Sequence, residues 1–220
     1  MIDPFNPPPA RRSHQRQLVE LLLRLAGRRG RMTGAEIGVA LGHTSARLMQ
    51  EFPRLTLWMV DVWDQAAADS SWRKTGDKRS RLTLADQIAR MGQATRGVSF
   101  AIERARIMRA PSTEVAEWLS RHHKGRFDFV FIDGDHSYDG TKGDIEAWYP
   151  LVRPGGLFSG HDYLSHKYKG VKQAVDEFFA SHPELTFYQG TDGAESTWYT
   201  WKHPEGKTNE SARRTESLPE

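Results

Sequence analysis

Acidic residues and a histidine follow two apolar segments of the sequence, at points where strands are expected to end. Asp133, Asp135 and His136 come directly after FDFVFI, and Asp162 follows GGLFSGH. Because neighbouring strands of a sheet lie ~4.8 Å apart, Asp133 and Asp162 are expected to converge on one cation. Two carboxylates, completed by water and substrate oxygens, form the oxygen-rich site that Mg²⁺ and Mn²⁺ prefer. Such a cation would orient an acceptor hydroxyl and lower its pKa.

His136 is the candidate general base of this site. It follows Asp133 by three residues across a predicted turn. A neutral imidazole at about pH 7 is well suited to remove a proton from a hydroxyl, and Asp135 could orient His136 or act in its place. The plainer alternative is that Asp135 caps the next helix and that His136 and His161 are ordinary polar residues at strand ends.

A second group of residues indicates a nucleotide-type ligand at the first strand. Glu36, Gly38 and Gly42 form the pattern E-x-G-x-x-x-G, and Asp61 ends the next apolar segment, nineteen residues after Gly42. In an open parallel sheet, ligands bind beyond the carboxyl ends of the strands, where an acid after the second strand can bind both hydroxyls of a ribose. Gly38 would allow close approach of the backbone to the ligand. Gly42 would open a helix whose free N–H groups point at the same place.

The spacing of these glycines separates two classes of ligand. Dinucleotide folds use G-x-G-x-x-G to seat a pyrophosphate on a helix N-terminus, but position 40 is Ala and Glu36 adds negative charge. S-adenosylmethionine (SAM) carries an amino group and a sulfonium, which suit this charge better. A nicotinamide-dependent oxidoreductase is therefore disfavoured. A non-catalytic cofactor-binding module, or glycines that only form turns with Asp61 as a helix cap, remain alternatives.

The elements that must position these residues alternate along the chain. Strands are expected at 35–41, 55–62, 98–102, 127–133, 155–160, 185–190 and 196–201, and helices at 13–27, 43–52, from Thr83, from Ser112 or Thr113, before Pro150 and at 170–183. Leu84, Ile88 and Met91 are expected on the buried face of the third helix. The pattern predicts an α/β fold, with a Rossmann-like, doubly wound, seven-stranded sheet. We expect this sheet to be mostly parallel, with one antiparallel strand and helices on both faces.

Length and composition indicate how the chain is organised. Its 220 residues fit one domain, expected at 13–202. Residues 1–12 contain four prolines and are expected to form an extended arm, while residues 203–220 are polar, aperiodic and expected to be disordered. Residues 63–80 interrupt the alternation, either as a lid over the ligand or as an ordinary surface loop. As a lid, this insert would place Trp63 against an adenine.

Composition also excludes or disfavours other classes of function. The chain has no Cys, which excludes disulfides, thiolate metal sites and a Cys nucleophile. The net charge of +3 comes from nearly balanced basic and acidic residues, so no nucleic-acid partner is expected. Neither a signal peptide nor an apolar run of ~18 residues is present, which predicts a cytoplasmic protein without a membrane partner. The N-terminal arm and helix are compatible with a homodimer as well as with packing on the sheet.

Four segments together resemble class I SAM-dependent methyltransferases: EIGVALGHTSARL, DVWD, FDFVFIDGDHSYDG and GGLFSGHDYLSHKYKGVKQAVDEFF. The resemblance spans about residues 32–201. It is strongest to the subgroup related to macrolide and sugar O-methyltransferases and to cephalosporin-hydroxylase-like proteins. The resemblance implies that a methyl group passes from SAM to a hydroxyl of a small metabolite.

The resemblance also implies roles for individual residues. Glu36, Gly38 and Asp61 look like cofactor residues, and Gly42, Trp63 and Asp133 are expected beside them. Glu103, Arg104 and Ala105, taken to follow the third strand, would lie near the adenine. Asp133 and Asp162 match the metal-binding acids of the family, and His136 matches its base.

One position departs from the pattern of the metal-dependent relatives. Catechol-type enzymes often follow the second metal acid with Asn or Asp, whereas Tyr163 follows Asp162 here. Because a phenol is a poor ligand for Mg²⁺, the alternative is a metal-independent methyltransferase with His136 or Asp135 as the base. Sugar hydroxyls, polyketide hydroxyls and catechol-like phenols all remain open as acceptors.

Overall fold

The strands of the molecule form a single sheet. This computed structural model describes residues 13–26, 30–64, 81–123, 126–190 and 196–203. Its strands are β1 Met32–Ile37, β2 Leu55–Asp61, β3 Ala105–Arg109, β4 Phe127–Ile132, β5 Val152–Gly160, β6 Tyr188–Gln189 and β7 Trp198–Trp201. Their order is β3-β2-β1-β4-β5-β7-β6, with β7 antiparallel to both neighbours and the other pairs parallel. The predicted seven-stranded sheet with one antiparallel strand is confirmed.

Helices cover both faces of this sheet, as predicted. Within the described residues they are α1 Ser13–Ala26, α2 His43–Glu51, α3 Leu84–Gly97, α4 Ser112–His123, α5 Tyr138–Trp148 and α6 Lys169–Ser181, with short 3₁₀ helices at Ser99–Arg104 and Tyr149–Leu151. The first three pack on one face, around residues such as Leu48, and the other three pack on the opposite face, around residues such as Leu119. Each fully buried Leu of these two cores contributes roughly 1.5–3 kcal/mol through burial.

The order of the strands reverses between β1 and β4. β2 and β3 extend the sheet on one side of β1, whereas β4 and β5 extend it on the other side. Open α/β sheets bind ligands beyond the carboxyl ends of the strands where the strand order reverses, which here is beyond the ends of β1 and β4. None of the described helices is long and apolar enough to cross a membrane.

Three predictions fall outside the described residues. These are the N-terminal arm at 1–12, the part beyond Asp64 of the insert predicted as a lid or a surface loop, and the tail from residue 204 onward.

The third strand differs from its prediction. Residues 98–102 continue in tight helical turns after α3, and the N–H of Ala101 donates to the Val98 carbonyl at 2.9 Å. The strand is Ala105–Arg109 instead, at the edge of the sheet, and both of its arginines are exposed. Charged side chains on an edge strand discourage pairing with other chains, but they also weaken the apolar signal by which a strand is found.

The third helix begins as predicted but buries a different face. Thr83 caps α3 in a capping box with Asp86. Leu84 and Ile88, predicted to be buried, are 43% and 47% exposed. The helix packs instead through the face that carries Ala94, whose small side chain allows close approach to the turn before α2.

The bounds of β1 and β5 also differ from their predictions. β1 begins at Met32 and ends at Ile37, so residues 38–41 belong to the following turn and not to the strand. β5 begins at Val152, because Pro154, Gly155 and Gly156 are part of the strand. Glu36 thus lies inside β1 with Gly38 directly after it, and β5 still ends at Gly160, as predicted.

Candidate active site

Four of the predicted site residues lie at the carboxyl ends of strands, on one side of the sheet. Gly38 follows β1, Asp61 ends β2, Asp133 follows β4 and Asp162 comes shortly after β5. Backbone pairing continues past the strand ends, since the N–H of Asp133 donates to the Ile37 carbonyl at 2.8 Å. The predicted cofactor and cation residues are therefore neighbours across β1 and β4.

Gly38 is required by contact between two loops. Its φ is +88°, and a Cβ at this position would lie 2.2 Å from the carbonyl oxygen of Asp133. Gly42 has a similar constraint, because its φ is +75° and a Cβ would lie 2.7 Å from the Cα of Ala94 in α3. Both glycines therefore allow the turn after β1 to pack closely against its neighbours. This role is separate from the close approach of the backbone to a ligand that the sequence predicts.

Asp61 ties that turn to the residues after β2. Its Oδ2 accepts a hydrogen bond from the N–H of Ala40 at 2.8 Å, and its Oδ1 accepts one from the N–H of Trp63 at 2.9 Å. Burial raises the pKa of Asp61, and the two backbone hydrogen bonds oppose this rise. Each carboxylate oxygen has two lone pairs, so the side chain retains acceptor capacity for ribose hydroxyls.

Trp63 lies in the core. Its side chain is 0% exposed, and its indole N–H donates to the Ala40 carbonyl at 2.9 Å. In place of the predicted contact with an adenine, the structure gives Trp63 a supporting position against the turn that follows β1.

Glu36 is buried against α2. It is 2% exposed, and its carboxyl accepts a hydrogen bond from the Ser45 hydroxyl. Burial raises the pKa of Glu36 to about 8; the Ser45 hydrogen bond opposes the rise, and the nearby charges of Asp133 and Asp61 add to it. Glu36 is therefore neutral at about pH 7 in this structure, which corrects the expectation that it already supplies negative charge before a ligand arrives.

Asp133, His136 and Asp162 meet beyond the ends of β4 and β5. The Nε2 atom of His136 lies 2.6 Å from Asp162 Oδ2 and 3.4 Å from Asp133 Oδ1. One ligand atom from each residue lies within 4.8 Å of the others. Two carboxylates and an imidazole form a donor set that suits a divalent cation such as Mn²⁺. The sequence predicted the two acids as ligands, and the structure adds His136 to the same group.

The charges of this group depend on one another. Burial alone would lower the pKa of His136, but hydrogen bonds to Asp133 and Asp162 and their charges outweigh burial and raise that pKa to about 9. Burial acts to raise the pKa of Asp162, but hydrogen bonds from His136 and His161 hold it well below its usual range. His136 is thus an imidazolium at about pH 7, whereas the sequence predicted a neutral imidazole.

Asp162 adopts an unusual backbone conformation. Its φ is 62°, in the left-handed region, which Asp tolerates better than most residues other than Gly. This conformation directs a buried carboxylate toward His136. Such strained residues are found most often at ligand sites and active sites.

Two neighbours of this centre are held by other contacts. Asp135 Oδ1 accepts a hydrogen bond from the N–H of Ser137 at 2.8 Å, which closes the turn at the start of α5. The Tyr163 hydroxyl donates to Asp176 Oδ1 at 2.7 Å. The cap of α5 is Ser137, whose hydroxyl accepts a hydrogen bond from the N–H of Gly140 at 3.1 Å, so Asp135 holds the turn before the helix and is not its cap. The Tyr163 phenol is directed to α6.

The three residues predicted near an adenine lie at the amino end of β3, away from Asp61: Glu103, Arg104 and Ala105. Ala105 begins β3, which runs a further ~13 Å before it reaches the level of Asp61. Arg104 donates to two carbonyls around the start of β2. Their predicted position beside an adenine does not hold, because this segment precedes the third strand. The loop at the carboxyl end of β3 begins at Ala110, whose N–H donates to the Asp61 carbonyl at 3.2 Å.

Two buried residues of the site were not predicted. Tyr168, just before α6, stacks on the His136 ring with a centroid distance of 4.3 Å. Asp144 of α5 accepts a hydrogen bond from the Ser112 hydroxyl; burial raises its pKa to about 7, against the effect of that hydrogen bond. Asp144 could have been found, because it shares the buried helical face of Ile145. Tyr168 lies in a polar loop without periodicity and gave no such signal.

Comparisons with known proteins agree with this fold. A family model described as a methyltransferase domain matches residues 35–163, more than half of the chain. Three similar solved structures are O-methyltransferases. The enzyme from Bacillus cereus in complex with SAH is 16% identical over 86% of this chain and 81% of that chain, with a TM-score of 0.61, and NovP is 15% identical over 87% of this chain and 80% of that chain, with a TM-score of 0.64. TomG from Streptomyces achromogenes in complex with SAM is 19% identical over 87% of this chain and 80% of that chain, with a TM-score of 0.57. No curated protein matches the chain.

The matched segment runs from β1 through Tyr163 and so contains the glycine turn, Asp61 and the centre formed by Asp133, His136 and Asp162. The strand order places all of these residues at the ligand-binding edge of the sheet. The chain therefore belongs to the methyltransferase domain family, and it is a SAM-dependent methyltransferase of class I fold.

Proposed function

We propose that the protein methylates a hydroxyl oxygen of a small metabolite, with a divalent cation held by Asp133 and Asp162 and with His136 as the general base. The observation that carries the proposal is the convergence of these three side chains at the carboxyl edge of the sheet. The solved structures with a similar fold include O-methyltransferases, which supports oxygen as the acceptor atom.

In the proposed reaction, the acceptor hydroxyl loses its proton to the base and its oxygen attacks the methyl carbon of the sulfonium. The O–C bond forms as the S–C bond breaks, and the sulfonium becomes the neutral thioether of S-adenosylhomocysteine (SAH). Holding the two reactants in line lowers the barrier by as much as ~7–11 kcal/mol in well-oriented systems. The main contribution of the protein is therefore positioning.

The cofactor is expected to lie across the ends of β1 and β2. Asp61 is already ordered by two backbone N–H groups and would accept hydrogen bonds from the ribose hydroxyls. The amino group of the methionine portion would face Glu36. We assign the adenine to the loop that begins at Ala110, because this loop leaves β3 beside Asp61.

The carboxylates of Asp133 and Asp162 fit a divalent cation whose other ligands are water and acceptor oxygens, and this leaves His136 outside the ligand set as the base. When bound, the cation would lower the pKa of the acceptor hydroxyl. Asp162, buried and held in its left-handed conformation, is already directed toward the site. Asp133 is more exposed, with 27% of its side chain accessible, and would face the acceptor.

The present geometry favours cation assistance over the metal-independent alternative. His136 Nε2 lies between two carboxylates, and its Nδ1 is buried. Neither nitrogen is therefore presented to an acceptor while the carboxylates stabilise the proton on Nε2. A cation held by Asp133 and Asp162 would offset their negative charge and so lower the pKa of His136. The neutral imidazole would then accept the proton of the acceptor hydroxyl.

Calorimetry tests the cofactor part of the proposal. SAM and SAH would be titrated into the wild type, Asp61→Ala and Asp64→Ala; the last is a matched control, since Asp64 is a partly exposed neighbour. We expect binding by the wild type and the control, and loss of binding in Asp61→Ala. Absence of binding to the folded wild type would overturn the proposal.

A second experiment tests the acceptor and the cation. Formation of SAH would be followed with catechols, sugars and hydroxylated polyketides, with Mg²⁺, Mn²⁺ or a chelator, in the wild type, His136→Gln, Asp162→Asn and the exposed control Asp139→Asn. We expect turnover that requires the cation, His136 and Asp162 but not Asp139. Turnover that is insensitive to the chelator but needs His136 would favour the metal-independent reaction.

A further inference from the structure

Tyr168 lies against the imidazole of His136 in the structure. The two ring centroids are 4.3 Å apart and the ring planes differ by 28°. Both side chains are buried, with 8% and 7% exposed. The stack covers one face of the imidazole at the centre of the proposed site.

The other nitrogen of His136 lacks the contact that normally fixes a functional histidine. Such histidines usually donate or accept a hydrogen bond at the second ring nitrogen, which sets the orientation of the ring. Nδ1 of His136 is buried and has no hydrogen-bond partner among the residues that the structure describes. The contacts of Nε2 with Asp133 and Asp162 hold one side of the ring, and no hydrogen bond from the described residues holds the Nδ1 side.

We infer that Tyr168 is a positioning residue, which fixes the plane of the His136 imidazole by stacking in place of the missing hydrogen bond at Nδ1. Tyr168 does not touch the reacting atoms in this role. It determines where Nε2 points. The consequence for catalysis rests on the proposed function, whereas the effect on ring order does not.

The position of Tyr168 is itself fixed by the packing of two helix starts. Gly170, in the first turn of α6, presses on the start of α5, and a Cβ there would lie 2.4 Å from the amide nitrogen of Tyr138. The N–H of Tyr168 also donates to the Ser165 carbonyl at 3.2 Å. Because α5 starts two residues after His136, the two stacked rings are carried by elements in direct contact.

NMR of the protein labelled with ¹³C at histidine Cε1 tests the effect on ring order. The signal of His136, one of nine histidines, would be identified by its loss in His136→Gln. Tyr168→Phe keeps the stack, Tyr168→Leu removes it, and Tyr188→Leu is the matched control, because it removes the stack of Tyr188 on Tyr199 at 5.1 Å. We expect the His136 signal to broaden or split in Tyr168→Leu only. An unchanged signal in that folded variant would overturn the inference.

The same variants would then be assayed with the acceptor found in the screen above. We expect kcat to fall about 10- to 100-fold in Tyr168→Leu, as for a misplaced catalytic group. KM for SAM should stay within about two-fold, and Tyr168→Phe should restore kcat. A Tyr168→Leu kcat close to that of the wild type would also overturn the inference. If the wild type fails to bind SAH, the proposed function fails, and the NMR result still decides the role of Tyr168 in ordering the ring.

Discussion

The Nε2 atom of His136 lies 2.6 Å from Oδ2 of Asp162, and both side chains are buried. The imidazolium and the carboxylate stabilise each other in this pair. The folded-state pKa of His136 is raised to about 9 and that of Asp162 is depressed. Stabilisation from His136 is therefore complete below its unfolded pKa of about 6.5 and lost as the pH rises through 9, whereas stabilisation from Asp162 is present above about 3.9 and lost at lower pH.

Replacement of His136 by Gln should therefore destabilise the protein in a pH-dependent way. Removing one partner leaves a buried carboxylate without its counter-charge, which costs on the order of 3 kcal/mol. We expect this difference in the free energy of unfolding at about pH 6 and a smaller one above pH 9, measured by urea denaturation. The exposed His166→Gln is the control. A His136→Gln effect of equal size at both pH values would contradict the charge assignment.

Two glycine substitutions should have opposite effects. Gly38→Ala places a Cβ 2.2 Å from a backbone oxygen at a φ of +88°, so we expect a loss of at least about 3 kcal/mol of stability. Gly92→Ala lies inside α3, where the nearest atom is the end of the flexible Arg96 side chain at 3.3 Å. It should gain about 0.5–1 kcal/mol, because Ala has the higher helix propensity. Thermal and urea unfolding measure both, and a stable Gly38→Ala protein would contradict the loop contact.

Trp63→Phe tests the supporting role of the indole. The substitution removes the donor to the Ala40 carbonyl but keeps most of the apolar volume. Loss of this hydrogen bond costs about 0.5–1.5 kcal/mol, and the loosened turn should weaken SAH binding at least several-fold. Urea unfolding and calorimetry measure the two effects. Trp118→Phe, at a half-exposed tryptophan, should change neither, and unchanged SAH affinity in Trp63→Phe would indicate that the turn is ordered without the indole.

The sequence located the acids of the site because the strands that carry them are buried on both faces. β4 is apolar throughout except for Asp128, and so its end at Asp133 is clear from composition. Edge strand β3 has solvent on one side and carries arginines, so composition favours the more apolar segment 98–102 as a strand. That error placed the predicted adenine contacts at the amino end of β3 instead of its carboxyl end.

The charge states could not be predicted from spacing alone. A separation of three positions between Asp133 and His136 indicates a shared strand end, but the pKa of His136 depends on a distance of 2.6 Å to Asp162, which is remote in sequence. In the same way, the pattern around Glu36 indicates a ligand site but not the burial that keeps the carboxyl protonated. Tertiary contacts decide both, and they oppose the expectations from ordinary pKa values.

Binding of SAM should release a proton from Glu36. Burial raises the pKa of Glu36 to about 8, so the carboxyl is neutral at about pH 7, and a cationic ligand beside it should lower this pKa and ionise the group. The affinity for SAM should therefore rise between about pH 6 and 7.5, below the range in which an α-amino group of the ligand titrates. Calorimetry in buffers of different ionisation enthalpy measures the released proton. Glu36→Gln should abolish the release, and Glu103→Gln, an exposed acid before β3, should preserve it. A wild-type heat that is independent of the buffer would show that Glu36 does not ionise when the cofactor binds.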